Sequence, residues 1–550
     1  MKKTSIRAIS AAACAVLLAA CTASNVLDVK NLNNPDVARA YSTPAGIEGI
    51  IGTLYQQLNN AVNTTNVQAA GHMLALEGYS TVANFGMNTR IAIPRFPIIN
   101  DRGNSIDANN LADFSNTQKL ARNAANLVQA MDHLLTISQT TGSPAQDARD
   151  RGFAQFVNAA ALGYTSLVYD SAAIVTHQVA TLAIPPLSGY AAVNAAALAL
   201  MDSALATAGG AAAAAAFPLP SSWVNGNGMS QAAWVQFVHS WKARLRAGVA
   251  RSQAERAAVN WASVIADATA GITADIKITM GGGWSCSYDC SQMYVSNGWH
   301  EMSPMILGMA DTSGAYAAFI AAPFATRDGS LVLIRSPDQR LPQGATRVAQ
   351  QADTPYGGSS FTPGRYFANR ALGDDFPGDG WGTSMYDHKR WLAIYKASGV
   401  GPLTQFPLAE NTMLAAEGYI YAGNFAAAQA LIDASRALHG LPSIGAISSA
   451  SQQIQAGANS CVPRVPQPPA FNTVACGTIL EAMKWEKRME TAYSTYMGWY
   501  QDSRGWGDLP QGTAIHWPVP NEEMDSRQEP FYNMGGLGLP GSAAKGTYGF

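Results

Sequence analysis

Residues 408–442 carry the pattern that most narrows what this chain can fold into. Gly418, Tyr421, Ala430, Ala437 and Pro442 fall where a 34-residue helical-hairpin repeat places its Gly, Tyr, two Ala and Pro. The spacing predicts two antiparallel helices. Small residues at 418, 430 and 437 let the two approach, Gly423-Asn424 supplies the turn, and Pro442 stops the second helix. Helical spacing recurs upstream at Phe153, Phe156, Ala160, Tyr164, Leu167 and Val168, and again at Trp234, Phe237, Trp241, Leu245 and Val249. Residues 46–83 and 111–137 also read as helical, and residues 84–110 as a long irregular loop. The run 211–216 is six alanines, a strong helix former. Between 280 and 400 the helical period fades while Gly, Pro, Asp, Trp and Tyr rise, with a short strand expected at 330–334. Excursions of that length inside a compact protein are usually functional.

The first twenty residues read as an address. Lys2, Lys3 and Arg7 precede a mostly apolar run at 8–20, too short for a membrane span and suited to a signal peptide. Leu18-Ala19-Ala20-Cys21 resembles the bacterial lipobox, which implies a diacylglyceryl (palmitate-bearing) anchor on Cys21. The first acid after it is Asp28, which points away from inner-membrane retention. No later stretch offers the roughly 18 uninterrupted apolar residues of a span. Removing residues 1–20 deletes three cations and no acid, taking the formal charge from −2 to −5. A body with that balance has no basic footprint for nucleic acid. The 48% hydrophobic content excludes general disorder.

Four cysteines remain after Cys14 and Cys21: Cys286, Cys290, Cys461 and Cys476. An even number outside the cytoplasm suggests disulfides, with three possible connectivities. The spacing favours Cys286–Cys290 and Cys461–Cys476. The rival, a four-cysteine zinc site, lacks any CxxC.

Several blocks, in order, resemble the SusD/RagB family of outer-membrane nutrient-uptake lipoproteins. They are the lipobox with its leader from Leu27-Asp28-Val29 to Asn34-Pro35, the helix from Arg151-Gly152-Phe153 to Leu167-Val168-Tyr169, and Leu431-Ile432-Asp433-Ala434-Ser435-Arg436 followed by His439-Gly440-Leu441-Pro442. Glu486-Lys487-Arg488-Met489-Glu490 with Trp499-Tyr500, Asp502, Arg504 and Trp506, then Trp517-Pro518-Val519-Pro520, complete the series. Ser494-Thr495 replaces a usual Glu-Gly, and Asp170 stands where Gly is common, which marks a divergent branch. The resemblance implies a mainly α, tetratricopeptide-like helical-hairpin scaffold with a loop-rich ligand-binding excursion and few short strands. It also implies a SusC-like TonB-dependent β-barrel transporter as partner. Oligosaccharide, or peptide in some branches, would be bound without cleavage, at the exterior of the outer membrane. No cofactor is implied. The division expected is signal peptide 1–20, lipidated leader 21–45, N-terminal helical region 46–279, ligand-binding excursion 280–405 and C-terminal region 406–550.

Sugar binding needs flat aromatic faces beside planar amides and Arg. Two stretches supply them: residues 79–90, with Tyr79, Asn84, Phe85, Asn88 and Arg90, and residues 281–300, with Trp284, Tyr288, Tyr294, Asn297 and Trp299. Enzyme motifs are missing: no HExxH, no G-x-S-x-G and no phosphate-binding loop. Gly536-x-Gly538-x-x-Gly541 lies in a Gly/Pro tail without strand–helix context. Glu486 and Glu490, interleaved with Lys484, Lys487 and Arg488, read as a salt-bridged helix face. Asp374, Asp375 and Asp379 fail the EF-hand spacing and read as a solvated turn.

Overall fold

The structure is a computed structural model. It describes residues 41, 43–63, 66–80, 86–103, 110–286, 301–353, 365–370, 384–457 and 460–550. Among these, 19 α-helices carry the architecture. The strands form only two-stranded sheets, so the layers are helix on helix. Those used below are α1 (Pro44–Ile51), α2 (Leu54–Asn63), α3 (Asn66–Leu74), α4 (Asn110–Thr136), α5 (Pro144–Val168), α6 (Tyr190–Ala208), α7 (Gln231–Gly248), α8 (Gln253–Ala257), α9 (Trp261–Thr269), α10 (Leu408–Tyr421), α11 (Phe425–Leu438), α12 (Ile479–Thr491) and α13 (Gly498–Trp506).

Central helix α5 starts where Ser143 accepts from the Gln146 N–H and Pro144 fills the first turn. Its aromatic and small residues are buried from Gly152 to Val168, and α4 and α6 pack against it. Gly152 makes the α6 contact possible: a Cβ there would lie 2.3 Å from that of Ala208. From α6 the stack passes through α7 and α9 to α10, α11 and α12.

The 408–442 unit folds as a hairpin of α10 and α11. Gly423 turns at φ +72°, and the Asn424 side chain caps α11 by accepting from the Ala427 N–H at 3.3 Å. Three details correct the expectation. Gly418 opens space for α9, not α11: its Cβ would meet Ile265 at 2.6 Å. Ala430 and Ala437 are exposed, and α11 instead buries Ala428, Ile432 and Arg436. The helix ends before Gly440, at φ +71°, two residues ahead of Pro442. The six alanines form a 3₁₀ turn, residues 330–334 form no strand, and a short helix, Met87–Ile91, interrupts the expected loop at 84–110.

The strands are β1 (Gly78–Tyr79), β2 (Ser171–Ala173), β3 (Leu187–Gly189), β4 (Ile276–Met280), β5 (Glu301–Met302), β6 (Phe367–Asn369), β7 (Tyr386–His388), β8 (Gly401–Phe406), β9 (Arg464–Pro466) and β10 (Val474–Cys476). All five pairings are antiparallel: β1 with β5, β2 with β3, β4 with β8, β6 with β7 and β9 with β10. In the β4–β8 ribbon Met280 faces Gly401 and Ile278 faces Leu403. The excursion therefore leaves and re-enters the helical body at one place. One hydrophobic cluster runs through Phe156 and Trp241 of the helices, Met302 and Tyr386 of the excursion, and Trp485 and Trp517.

Candidate functional site: a junction of two loop stretches

The register of β1 and β5 sets Tyr79, in the first aromatic-rich stretch, beside Glu301, which directly follows the second. Gly78 pairs with Met302 and Tyr79 with Glu301. Residues that follow β1 and residues that precede β5 thus attach to the same short ribbon, although more than 200 positions separate them. Behind the ribbon lies a rigid polar floor. Glu77 bonds His72 and accepts from the Tyr493 N–H at 2.9 Å. The rings of His72 and His388 flank that of Tyr493, each at 4.7 Å between centroids. Arg370 joins Glu301 at 3.5 Å to Asp387 at 2.7 Å.

The expected ligand residues divide sharply. Tyr79 is 2% exposed, inside β1, and Trp284 is 7% exposed. Trp284 closes a tight turn on Gly281 and sets its ring 6.3 Å from that of Tyr55. Two asparagines of α2 hold that turn down: Asn60 donates to Gly283 O and accepts from Ser285 N–H, and Asn59 donates to Ser285 O. Arg90 is buried too, and donates to Pro97 O at 3.4 Å; burial lowers its pKa to about 10. Tyr79, Trp284 and Arg90 are therefore supports and present no free face to a sugar. Asn88 is exposed. Phe85, Tyr288, Tyr294 and Trp299 lie outside the described residues, as do Asn84, Asn297, Cys21, Cys290, Asp374, Asp375 and Asp379. Cys461 and Cys476 form a disulfide, which removes two thiolates from any four-cysteine zinc site. Cys286 is also disulfide-bonded.

A second feature is absent from the sequence reading. A cleft of about 390 Å³ runs along α10 and α11, lined by Leu408, Leu431 and Leu438, and ends at Tyr366, Arg390, His439 and Glu490. Glu490 accepts from His439 at 2.7 Å, from Tyr366 at 2.9 Å and from Arg340 at 3.1 Å. Burial alone would raise its pKa. The His439 hydrogen bond and the charges of Arg390 and Arg340 outweigh burial and hold it far below the usual range. An ionised carboxylate saturated with donors has no proton to give, so it is a poor general acid. Glu486 is likewise occupied, by Arg340 at 3.0 Å and Ser435 at 2.8 Å. The charged C-terminal block is salt-bridged, as its pattern suggested, and the structure adds that it is buried, as a joint between α12 and the excursion. The one available signal was the apolar company on the same helix: Ile479, Met483, Trp485 and Met489.

No family model and no curated protein matches this chain. Solved structures do match in fold. A SusD superfamily protein from Bacteroides thetaiotaomicron VPI-5482 superposes with a TM-score of 0.54 at 13% identity, over 89% of this chain and 98% of that one. A SusD superfamily protein from Parabacteroides distasonis ATCC 8503 gives 0.54 at 10% identity, over 88% and 97%. Another B. thetaiotaomicron SusD superfamily protein gives 0.52 at 11%, over 90% and 94%. Identities this low carry the fold alone, and the fold is shared across nearly the whole length.

Proposed function

From a chain with the SusD-superfamily fold, we propose a non-catalytic, lipid-anchored surface protein that captures oligosaccharide and passes it to a SusC-like TonB-dependent β-barrel transporter. The observation that carries this reading is the β1–β5 pairing. On that fold it attaches both aromatic- and amide-rich stretches to one ribbon, over a floor of interlocked charges and rings. A sugar site needs a fixed base from which rings and amides can project, and the β1–β5 ribbon over its polar floor is such a base. The low charged content, 13%, favours a neutral glycan over an ionic peptide. The lipobox ending at Cys21 supplies the anchor.

The test is a glycan array with purified protein, followed by calorimetry on the best ligand. Tyr294→Ala and Trp299→Ala are each expected to weaken binding about tenfold, ~1.4 kcal/mol. Trp284→Ala is expected to lower stability first, because its ring is core. Unchanged affinity in both loop variants would remove this site. Sustained release of reducing ends from the bound polysaccharide would replace a binder with a hydrolase. Failure of [³H]palmitate to label Cys21 would remove the anchor.

A further inference from the structure

A groove of about 410 Å³ lies where the start of α6 meets the end of α7 and the link from α8 to α9. None of its described lining residues comes from the stretches 79–90 or 281–300. Tyr190, the first residue of α6, lines it with a ring fixed at three points. Its N–H donates to Asp170 O at 2.8 Å, its hydroxyl donates to Glu255 at 3.0 Å, and the Arg251 guanidinium lies 4.4 Å from the ring centroid. Arg251 is itself buried and donates to Leu167 O at 2.8 Å. The His516 ring, tilted by 50° at 6.2 Å, does not stack on Tyr190. A half-buried ring with a guanidinium on one face keeps the other face for a ligand.

The polar groups of the same groove have hydrogen-bonding capacity left over. Asn194 is 4% exposed. Its amide nitrogen donates to the Ser166 hydroxyl at 3.1 Å and to Leu245 O at 3.3 Å, while its Oδ1 accepts from nothing among the described residues. A buried amide oxygen left without a donor is costly unless something in the groove supplies one. Glu255 accepts once at each oxygen, from Tyr190 and from the Arg251 N–H at 2.8 Å, and retains lone pairs. Asn260 caps α9 through its oxygen, accepting from the Ser263 N–H at 3.1 Å, which leaves its amide nitrogen to donate. Arg246 binds Asp267 through Nε at 2.7 Å, and its Nη groups bond nothing among the described residues. Leu198 and Val249 add apolar surface between these groups.

We propose that this groove is a second sugar-contact site, which takes a pyranose of a neutral glycan against the Tyr190 ring. The inference rests on the glycan-capture reading above and adds a contact that shares no described residue with the β1–β5 junction. The donor set selects the ligand class. Asn194 and Glu255 ask for donors, Asn260 and Arg246 ask for acceptors, and a hydroxyl is both. An anion has no proton to give Asn194 and is repelled by Glu255; a cation has no lone pair for Asn260 and is repelled by Arg246. The C–H face of the sugar falls on Tyr190, Leu198 and Val249. Two modest contacts on one long glycan reinforce each other without any new bond, provided that the chain reaches both.

The test runs the purified full chain through native gels that carry soluble starch, xylan, galactomannan or mixed-linkage β-glucan, with polygalacturonate as the anionic reference. Retention against polysaccharide concentration gives an apparent affinity. On the neutral polysaccharide that retains the chain most, Tyr190→Ala is expected to weaken retention about three- to tenfold. Asn260→Ser keeps a capping oxygen for α9 but removes the amide, and is expected to weaken it about threefold. Tyr190→Phe keeps the ring and loses only the Glu255 bond, so it is expected to stay within about twofold of wild type. Equal losses in Tyr190→Phe and Tyr190→Ala would trace the effect to that bond and overturn the proposal. Where Tyr190→Ala melts early, Asn260→Ser decides alone, and unchanged retention in it overturns the proposal. Unchanged retention in Tyr190→Ala and Asn260→Ser, with Tyr294→Ala and Trp299→Ala still weakening it, overturns this site and leaves glycan capture intact. Retention by polygalacturonate alone overturns the neutral class. A chain that passes every gel unretained overturns glycan capture itself, and this groove with it.

Discussion

Gly152 shows what one missing methyl does here. A Cβ at that position would lie 2.9 Å from the Ala208 nitrogen and 3.1 Å from the Ala204 oxygen, both backbone atoms of α6 that cannot swing aside. Gly152→Ala is expected to destabilise by about 1–2 kcal/mol, the upper part of the overpacking penalty (about 2–3 kcal/mol, since the Ala208 Cβ would lie 2.3 Å away) less the ~1 kcal/mol that Ala gains over Gly in a helix. The check is the urea midpoint, which is expected to fall with an unchanged slope. Gly418→Ala is expected to cost less than Gly152→Ala, since the atoms it would meet are side-chain atoms of Ile265 and not backbone, but it is not expected to be free, because a β-branched residue inside α9 has little rotamer freedom. Equal midpoints for Gly152→Ala and wild type would show that α5 and α6 do not meet as closely as described. Residue 418 was legible in the sequence as a place of close approach, but its neighbour was not. Spacing along one helix gives the face a residue occupies and says nothing of which element covers that face. Trp284 and Tyr79 failed for a related reason: an aromatic in a Gly-rich stretch looks the same whether it faces a ligand or, like Trp284, is pulled into the core by two asparagines 220 or more positions upstream.

At the scale of elements, α12 holds the excursion with charge. Arg340 contacts Asp338 at 2.7 Å, Glu486 at 3.0 Å and Glu490 at 3.1 Å, all out of water. Arg340→Ala leaves these carboxylates uncompensated and is expected to cost about 3–5 kcal/mol in denaturant unfolding. Burial by itself would raise the carboxyls of Asp338, Glu490 and Asp508. Arg340 beside Asp338, His439 and Arg390 beside Glu490, and Lys484 and Arg488 beside Asp508 reverse that and lower all three. A carboxyl lowered on folding adds stability that is full above its unfolded pKa, about 4, and is lost as pH falls below it. Unfolding free energy is therefore expected to drop from about pH 5 downward, and Glu490→Gln is expected to flatten that fall. Asp150, raised to about 6 by burial, acts in the opposite sense between about 4 and 6, so the difference curve is the measurement to take. His516, lowered to about 3 chiefly by burial, is a separate contribution whose loss begins near pH 6.5. The Cys461–Cys476 bond closes β9 and β10 over a sequence separation of 15. Cys461→Ser with Cys476→Ser is expected to cost about 3 kcal/mol in the same assay. The helices themselves were readable because apolar residues recur at their period. The charge joint was not, since its partners at 338–340, 366 and 439 come from other parts of the chain.

For the whole molecule the question is whether the excursion is a body of its own. The sequence places its limits where helical period stops near 280 and returns near 400; β4 and β8 pair there, which does not in itself mark off a separate unit. Its attachment was not visible. Arg340 and Tyr366 reach across to α12, Trp391 donates to Tyr493 O at 2.9 Å, and Met302, Tyr316 and Tyr386 share one hydrophobic cluster with the helices. These contacts make the described part of the excursion continuous with the core. A protease site inserted after Gly282 tests this directly. That glycine tops an exposed turn with nothing within 4 Å of its Cβ position. After cutting, residues 1–282 and 283–550 are expected to co-elute at the size of the intact chain and to unfold in one cooperative transition, because the buried contacts span the cut and two-state behaviour follows the core rather than the chain. Adding Arg340→Ala to the cut protein is expected to lower the midpoint without releasing the fragments, because Arg340 and its partners Asp338, Glu486 and Glu490 all lie in 283–550. Fragments that separate would show that the β1–β5 and β4–β8 pairings and the shared core do not hold 1–282 to 283–550, and the ligand face would then have to be sought within 283–550 alone.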